Sequence, residues 1–208
     1  MTCLGMTRFG MTRPGMVRLG LLLFFSMTLL TGCSGMKPED FADREPRLRI
    51  EDYFAGKTRA WGIFQDRFGT LRRQFTVDID GRWDGETLTL VEDFVYDDGE
   101  TEQRIWRIRK TGAHGYRGEA DGVIGTAEGE SYGNALKWHY RFALKVGDAT
   151  WNVTFDDWMF LQQDGVLINR AEVTKFGLRL GEVTIVFRKL PAPAAAFSAS
   201  APRRSAPR

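Results

Sequence analysis

The sequence predicts an all-β fold, an up-and-down antiparallel barrel of about eight to ten strands that follows a short irregular or helical segment. The stretch from Arg47 to Leu190 contains no proline, so nothing in it removes a strand hydrogen bond. The same stretch contains seventeen glycines. Several of them stand in Asp-Gly pairs such as Asp84-Gly85 and Asp164-Gly165, which are hairpin signals. Apolar and polar residues alternate between these pairs with the period of two that half-buried strands show.

The clearest alternation lies in residues 136–146, where Leu136, Trp138 and Tyr140 share one face and Lys137 and His139 share the other. Further runs bring the number of strands to about ten, at residues 59–68, 75–79, 88–94, 103–110, 115–119, 123–130, 151–161, 166–176 and 183–187. Residues 38–54 read as helical or irregular. Sequential strands with short turns favour an up-and-down barrel, which has room for interior side chains and one small ligand. A flat sandwich is the alternative architecture.

Residues 1–32 have the layout of an export signal. Arg8, Arg13 and Arg18 precede an apolar run at residues 19–30, and Leu30-Thr31-Gly32-Cys33 follows it. This last segment resembles the lipobox of bacterial lipoproteins, which implies that Cys33 is lipidated and becomes the mature N-terminus. Met16 is a sensible true start, since the five-residue repeat before it has no apolar face to bury.

The resemblance to lipoproteins also implies an address. Among lipoproteins an Asp after the lipidated cysteine commonly signals retention in the inner membrane, whereas Ser34 stands at that position here. We therefore expect a chain anchored through Cys33 to the periplasmic face of the outer membrane of a Gram-negative bacterium. Several acyl chains on one residue give stable anchoring.

The remaining chain divides into a linker at residues 33–52, a barrel domain at residues 53–190 and a tail at residues 191–208. The tail is rich in Ala, Pro, Ser and Arg and is expected to be disordered. All 27 acidic residues lie between leader and tail. The leader and the tail each hold three of the 29 basic residues, which leaves 23 basic against 27 acidic side chains in between. This net negative charge argues against a nucleic-acid partner.

The sequence lacks the residue patterns that serine hydrolases, zinc sites and phosphate-binding loops require. Ser131, the only serine between Met36 and Leu190, lacks the Gly-x-Ser-x-Gly turn of hydrolases. The two histidines, His114 and His139, have no cysteine beside them to complete a zinc site. No glycine-rich phosphate loop precedes a predicted helix. The sequence therefore predicts no metal and no cofactor, and it leans away from an enzyme.

Asp157 is the most informative polar residue. The other odd positions of residues 151–161 are apolar, which predicts that Asp157 faces the core and Asp156 faces outward. A three-residue hairpin loop at residues 163–165 would set Asp157 opposite Ala171 and Met159 opposite Asn169. A buried carboxyl needs a partner or a raised pKa. Lys175 lies too far along its strand to pair directly with Asp157, and Arg67 is therefore the candidate cation.

Two interpretations of these side chains stay open. In the first, a polar cluster inside an aromatic cavity fixes the head group of an amphipathic ligand. The candidate ligand-binding residues are Asp157, Arg67, Asn169, Lys175, Trp138, Tyr140, Asn134 and Trp151. In the second, the polar residues form a buried ion pair that closes the barrel, the aromatic residues are plain core, and Asn134 shapes a turn.

From Tyr53 to Leu190 the chain resembles a family of Gram-negative lipoproteins, DUF3833, which is regarded as lipocalin-like. The segments that carry the resemblance are Asp66-Arg67-Phe68-Gly69, residues 92–99, residues 133–138, Asp156-Asp157-Trp158-Met159 and Lys175-Phe176-Gly177. The resemblance implies a lipocalin-like barrel and an envelope address, and it implies no activity. Genes of the family tend to lie near genes for fatty-acid-modifying enzymes, which favours a lipid ligand.

The leading hypothesis is an outer-membrane lipoprotein that binds or carries a fatty acid, a phospholipid or a similar apolar molecule in the periplasm without catalysing a reaction. The first alternative is a packed barrel that acts as a structural or interaction module of the envelope. The second alternative is a lipid-modifying enzyme that uses Asp157 as a general acid or base.

Overall fold

The computed structural model describes residues 35–191. The chain divides into two compact units, Met1–Met36 and Lys37–Arg208, and every strand belongs to the second unit. The expected export signal, the lipidation site Cys33 and most of the expected disordered tail lie outside the described residues. No helix of residues 35–191 is long and apolar enough to cross a membrane.

Within residues 37–191, the second unit contains a short N-terminal segment and ten strands. The segment contains a 3-10 helix at Pro38–Phe41 and helix α1 at Ile50–Phe54, in the region expected to be helical or irregular. The strands are β1 (Gly56–Asp66), β2 (Leu71–Trp83), β3 (Thr87–Tyr96), β4 (Thr101–Lys110), β5 (Gly115–Glu119), β6 (Val123–Tyr132), β7 (Ala135–Val146), β8 (Ala149–Leu161), β9 (Leu167–Lys175) and β10 (Leu178–Lys189).

The strands form a closed barrel in which each strand pairs antiparallel with its neighbours in sequence. The first and last strands close the sheet, with Ala60 of β1 opposite Phe187 of β10. Closure leaves no unpaired sheet edge. The predicted up-and-down barrel of about eight to ten strands is therefore confirmed, and the sandwich alternative is wrong.

The β8–β9 hairpin has the register that the sequence predicted. The N–H of Gln162 donates to the carbonyl of Val166 at 2.8 Å, which leaves residues 163–165 as the loop. Asp157 therefore lies opposite Ala171, and Met159 lies opposite Asn169. Gly165 adopts a φ of 81°, a conformation that glycine accepts without the steric penalty of a Cβ.

The N-terminal segment closes one end of the barrel. Leu48, Ile50 and Phe54 are buried in the same core as the inward side chains of the strands. The N–H of Leu48 donates to the carbonyl of Gly133 at 2.7 Å. Glu51 accepts hydrogen bonds from Tyr116 at 2.8 Å and from Lys110 at 2.9 Å. We call this the closed end.

The opposite end, which we call the open rim, consists of the turns that begin after β1, β3, β5, β7 and β9. Every strand of the barrel and every residue of its core lies within Lys37–Arg208. This unit thus carries its own core and closes its own sheet, as an independently folding domain does.

Candidate ligand-binding cavity

The barrel is hollow. A cavity of about 440 Å³ extends from Ile50 and Phe54 at the closed end to Phe64 and Val146 near the open rim. Its volume lies within the range of about 300–1,000 Å³ that is typical of small-molecule sites. The wall is mainly aliphatic and aromatic. The interior is not filled in the way that the packed-barrel alternative requires.

Asp157 and Asn169 place polar groups on the cavity wall. Only 6% of Asp157 and 2% of Asn169 is exposed. Asp157 Oδ1 and Asn169 Nδ2 have no hydrogen-bond partner within the described residues. Burial raises the pKa of Asp157 to about 8, and the neighbouring carboxylate of Asp156 adds to this rise while the amide of Asn169 opposes it. Asp157 is therefore largely protonated at neutral pH.

Asp156 lies on the outer face, as predicted. Its Oδ1 is 2.7 Å from Nδ1 of His139. The two adjacent carboxyls therefore have opposite surroundings, because successive strand residues face opposite sides of the sheet.

Tyr140 and Trp138 belong to an aromatic wall beside Asp157. The Tyr140 ring stacks on Phe155 with centroids 5.1 Å apart and meets the edge of Trp106 at 5.5 Å. Trp138 lies directly opposite Asp157 in the β7–β8 register. Burial raises the pKa of Tyr140 well above its usual value, and the nearby Asp157 raises it further while Arg104 lowers it. The pKa of Tyr140 therefore responds to the carboxyl of Asp157 and to the guanidinium of Arg104.

Among the basic residues that line the cavity, Arg104 of β4 is the one that lies beside Glu92 and Tyr140. Its guanidinium carbon lies 4.7 Å from the ring centroid of Phe142 and 4.9 Å from that of Phe94. Nη2 donates to Glu102 at 2.6 Å, whereas Nε has no partner within the described residues. The side chain is 17% exposed. Arg104 therefore places a positive charge on the cavity wall, where Glu102 pairs with it.

Glu92 of β3 lies directly opposite Arg104. Burial raises the pKa of Glu92 to about 7, although Arg104 and a hydrogen bond from Trp106 lower it and Glu102 adds to the rise. The cavity wall thus holds a second carboxyl that is about half protonated at neutral pH.

The sequence of residues 27–189 matches a family model described as "Protein of unknown function (DUF3833)". The chain belongs to this family. No curated protein matches the chain. Among solved structures, it is similar to the S-type phycobiliprotein lyase CPES from Guillardia theta, with 10% identity and a TM-score of 0.52 over 76% of this chain and 100% of that chain. At this identity the likeness establishes the fold, and the DUF3833 chain has a lipocalin-like barrel.

Four of the residues expected in the site line the cavity of the DUF3833 barrel: Asp157, Asn169, Trp138 and Tyr140. Arg67 does not, and its assignment as the cation facing Asp157 is wrong. Strand β1 ends at Asp66, so Arg67 falls in the exposed β1–β2 turn. Its guanidinium lies 4.7 Å from the Phe68 ring.

The other three expected residues also lie away from the cavity wall. Lys175 Nζ is 4.2 Å from the ring centroid of Trp151, which is 36% exposed near the open rim. Lys175 and Trp151 therefore form a cation–π contact with each other at the end of β9 and the start of β8. Asn134 lies in the β6–β7 turn and donates to the carbonyl of Leu161 at 3.0 Å. This contact agrees with the turn-shaping interpretation of Asn134.

Arg104 and Glu92 were missed, although the sequence contains their signal. Leu88, Leu90 and Phe94 fix the even positions of β3 as inward, which places Glu92 on the same face. Trp106 and Ile108 do the same for Arg104 of β4. Alternation carried across every strand, and not only across β8, identifies both residues.

Proposed function

We propose that this DUF3833 protein binds a single small amphipathic ligand, such as a fatty acid, inside the barrel. The observation that carries the proposal is an aromatic cavity of about 440 Å³ whose wall holds buried polar atoms without partners. Such atoms are costly to bury unless something bonds to them. An apolar chain along the aromatic wall supplies the hydrophobic part of the binding energy.

The unpartnered atoms indicate what the ligand head presents. Arg104 Nε and Asn169 Nδ2 are donors, and the protonated carboxyl of Asp157 is a donor as well. Three hydrogen-bond donors require acceptor oxygens on the ligand. A carboxylic acid or an ester provides such oxygens, whereas an amine does not. The charge of Arg104 favours an acid.

For the cellular role, we propose a lipoprotein anchored through Cys33 at the periplasmic face of the outer membrane that binds or carries this lipid. Support comes from the basic leader, the apolar run and the Leu-Thr-Gly-Cys segment of the sequence. The experiment that addresses the anchor is mass spectrometry of the protein from membrane fractions. We expect an acylated N-terminal cysteine, and an unmodified Cys33 would refute the anchor.

The cavity is tested on residues 34–208, the barrel unit without the anchor, purified from cells. Native mass spectrometry followed by organic extraction detects a copurified lipid, and displacement of a dansyl-labelled fatty acid measures affinity. Asp157→Asn is compared with its outward neighbour Asp156→Asn. Arg104→Met is compared with Arg107→Met, which changes an exposed arginine of the same strand.

We expect one bound lipid per chain and fatty-acid affinity that falls about tenfold or more in Arg104→Met, because a charge-assisted hydrogen bond is lost. Arg107→Met and Asp156→Asn should bind like the unsubstituted chain. A clean mass without adduct together with no displacement would overturn the proposal and favour the interaction-module alternative.

One observation keeps an enzyme as a second candidate. A buried carboxyl with a pKa near 8 is what a general acid or base at neutral pH requires. Incubation of the unit with crude lipid would then release a product, and Asp157→Asn would abolish the release while remaining folded. Unchanged lipid would exclude this role for Asp157.

A further inference from the structure

The open rim exposes two phenylalanine side chains at the tips of adjacent hairpins. Phe176 in the β9–β10 turn is 93% exposed, and Phe68 in the β1–β2 turn is 77% exposed. Leu178 and Leu71 beside them are 67% and 49% exposed. Phe176, Phe68 and Leu178 are the three most exposed large apolar side chains of residues 35–191. The two turns are neighbours, because β1 pairs with β10 and the N–H of Arg67 donates to the carbonyl of Leu180 at 2.8 Å.

The stability of the fold does not explain why a phenylalanine stands at position 176. Phe176 adopts a φ of 52° and Gly177 a φ of 76°, so the two form the centre of a tight hairpin turn. Such turns favour Asn-Gly, and a bulky residue with positive φ is an outlier that strains the backbone. Phe176 thus bears a conformational cost and buries almost none of its ring.

Both tips also carry the same triplet, a basic residue followed by Phe and Gly. Arg67 lies 4.7 Å from the Phe68 ring, and Lys175 lies 5.5 Å from the Phe176 ring. Within residues 35–191 neither basic side chain forms an ion pair. Their neighbours Arg72 and Arg179, in contrast, pair with Asp66 and Glu182.

Two basic residues without an ion pair stand beside the phenylalanine tips. The β3–β4 turn next to the β1–β2 turn carries Asp97, Asp98 and Glu100, and Arg73 of β2 pairs with the last two. The two tips therefore combine exposed rings with the positive charges of Arg67 and Lys175. Aromatic rings flanked by Lys or Arg suit the interface of an anionic bilayer.

A protein partner fits this surface less well. Two phenylalanine rings bury about 300–500 Å² together, whereas a stable protein interface buries about 800 Å² on each side. The rings stand on separate loop tips and not on a continuous face. Two rings on separate tips therefore suit the interface of a bilayer better than a protein interface.

We propose that the open rim docks on the surface of an anionic phospholipid bilayer, with Phe68 and Phe176 inserted and Arg67 and Lys175 against the phosphates. The cavity reaches Phe64 and Val146 near the same rim, so docking brings its mouth to the membrane. The 3-10 helix Pro38–Phe41 packs on β6 and β7 beside Gly133, at the closed end. Docking at the open rim does not require an anchor at Cys33.

The test is flotation of residues 34–208 with vesicles of phosphatidylethanolamine and phosphatidylglycerol, compared with phosphatidylcholine alone. The double variant Phe68→Ser/Phe176→Ser removes the rings. Its matched control is Ile168→Ser/Val186→Ser, two apolar side chains on the outer barrel wall that lie opposite each other and are each 37% exposed. Arg67→Gln/Lys175→Gln removes the charges.

We expect partitioning into anionic vesicles that falls about tenfold for each ring removed, since burying one ring contributes at least 1.4 kcal/mol, about one power of ten. The charge variant and added salt should also weaken it, and the wall control should not. Equal partitioning of the ring variant and the unsubstituted chain, or no preference for anionic vesicles, would overturn the proposal.

Phe176→Asn separates a docking role from a structural one. Because Asn suits the turn better, we expect this variant to keep or raise the melting temperature while losing vesicle binding. A lowered melting temperature with vesicle binding intact would contradict us. Fatty-acid displacement in solution should be unchanged in all rim variants, so docking and cavity binding fail or succeed independently.

Discussion

At the scale of single residues, the interior of the barrel raises the pKa of two carboxyl groups. The aromatic wall removes water from Asp157 and raises its pKa to about 8, and Glu92 reaches about 7 despite facing Arg104. A protonated carboxyl is a hydrogen-bond donor, which an ionised one is not. The burial that is unfavourable for an ionised group thus gives the cavity its donor character.

The raised pKa predicts how Asp157 affects stability. The unfolded chain ionises Asp157 near its usual pKa of 3.8, whereas the folded chain holds the proton until about pH 8. The stability that the protonated carboxyl contributes is therefore fully present below about pH 4 and is lost as the pH rises toward 8. Asp157→Asn has no such loss. As the pH rises through this window, we expect the free energy of unfolding of Asp157→Asn to increase relative to that of the unsubstituted chain by up to about 1.4 kcal/mol per pH unit.

Urea unfolding between about pH 5 and pH 8 measures this difference. Asp156→Asn is the control, since it changes the adjacent carboxyl on the outer face, and it should show no comparable gain with pH. A difference between Asp157→Asn and the unsubstituted chain that stays constant across the window would show that Asp157 is ionised in the folded barrel.

At the scale of secondary-structure elements, glycines on two neighbouring strands make room for Trp138, one of the two tryptophans of the cavity wall. Gly129 of β6 lies opposite Trp138 of β7, and a Cβ at Gly129 would stand 1.9 Å from the indole. A Cβ at Gly118 of β5 would stand 2.8 Å from the same ring. The indole therefore lies flat over both strands, and the cavity remains open.

Gly129→Ala should push Trp138 toward the cavity. We expect a loss of about 1–3 kcal/mol in stability from overpacking, together with weaker fatty-acid binding. Chemical unfolding and ligand displacement measure the two effects. Gly112→Ala is the matched control, because no atom lies within 4 Å of its Cβ. Unchanged stability and affinity in Gly129→Ala would mean that the indole has room to move elsewhere.

At the scale of the whole molecule, closure of the sheet by β1 and β10 converts ten strands into an enclosed volume. A ligand that occupies this volume binds the folded chain and not the unfolded one. Its binding free energy therefore adds to stability. A packed barrel has no room for a ligand, so an added lipid would leave its stability unchanged.

We expect a fatty acid at about 100 times its Kd to stabilise the unit by about 2.7 kcal/mol, which raises Tm by about 5–10 °C. Differential scanning calorimetry on delipidated residues 34–208 provides the measurement. Arg104→Met should require a higher fatty-acid concentration for the same rise. A Tm that is independent of fatty-acid concentration would contradict occupation of the cavity.

Local patterns in the sequence determined most of the fold. The alternation of apolar and polar residues located all ten strands, and the bounds of β5 were predicted at Gly115–Glu119 as observed. The predicted strand at residues 183–187 was too short, because a bulge between Arg179 and Gly181 breaks the alternation in β10. The N-terminal end of β2 was missed because Arg72 and Arg73 place polar side chains on both faces, and the C-terminal end was missed because Gly81 interrupts the apolar face. The inward orientation of Asp157 and its register opposite Ala171 followed from a period of two and a loop length.

Tertiary structure decided which groups Arg104 meets and whether the cavity exists. Alternation along β4 places Arg104 inward, but only closure of the barrel brings it to Phe142 of β7, while Arg67 lies in the exposed β1–β2 turn. The volume of the cavity is likewise no property of one strand, since side chains from eight of the ten strands line it. Periodicity is local and can be read along the chain, whereas volume and charge pairing arise between strands that are distant in sequence.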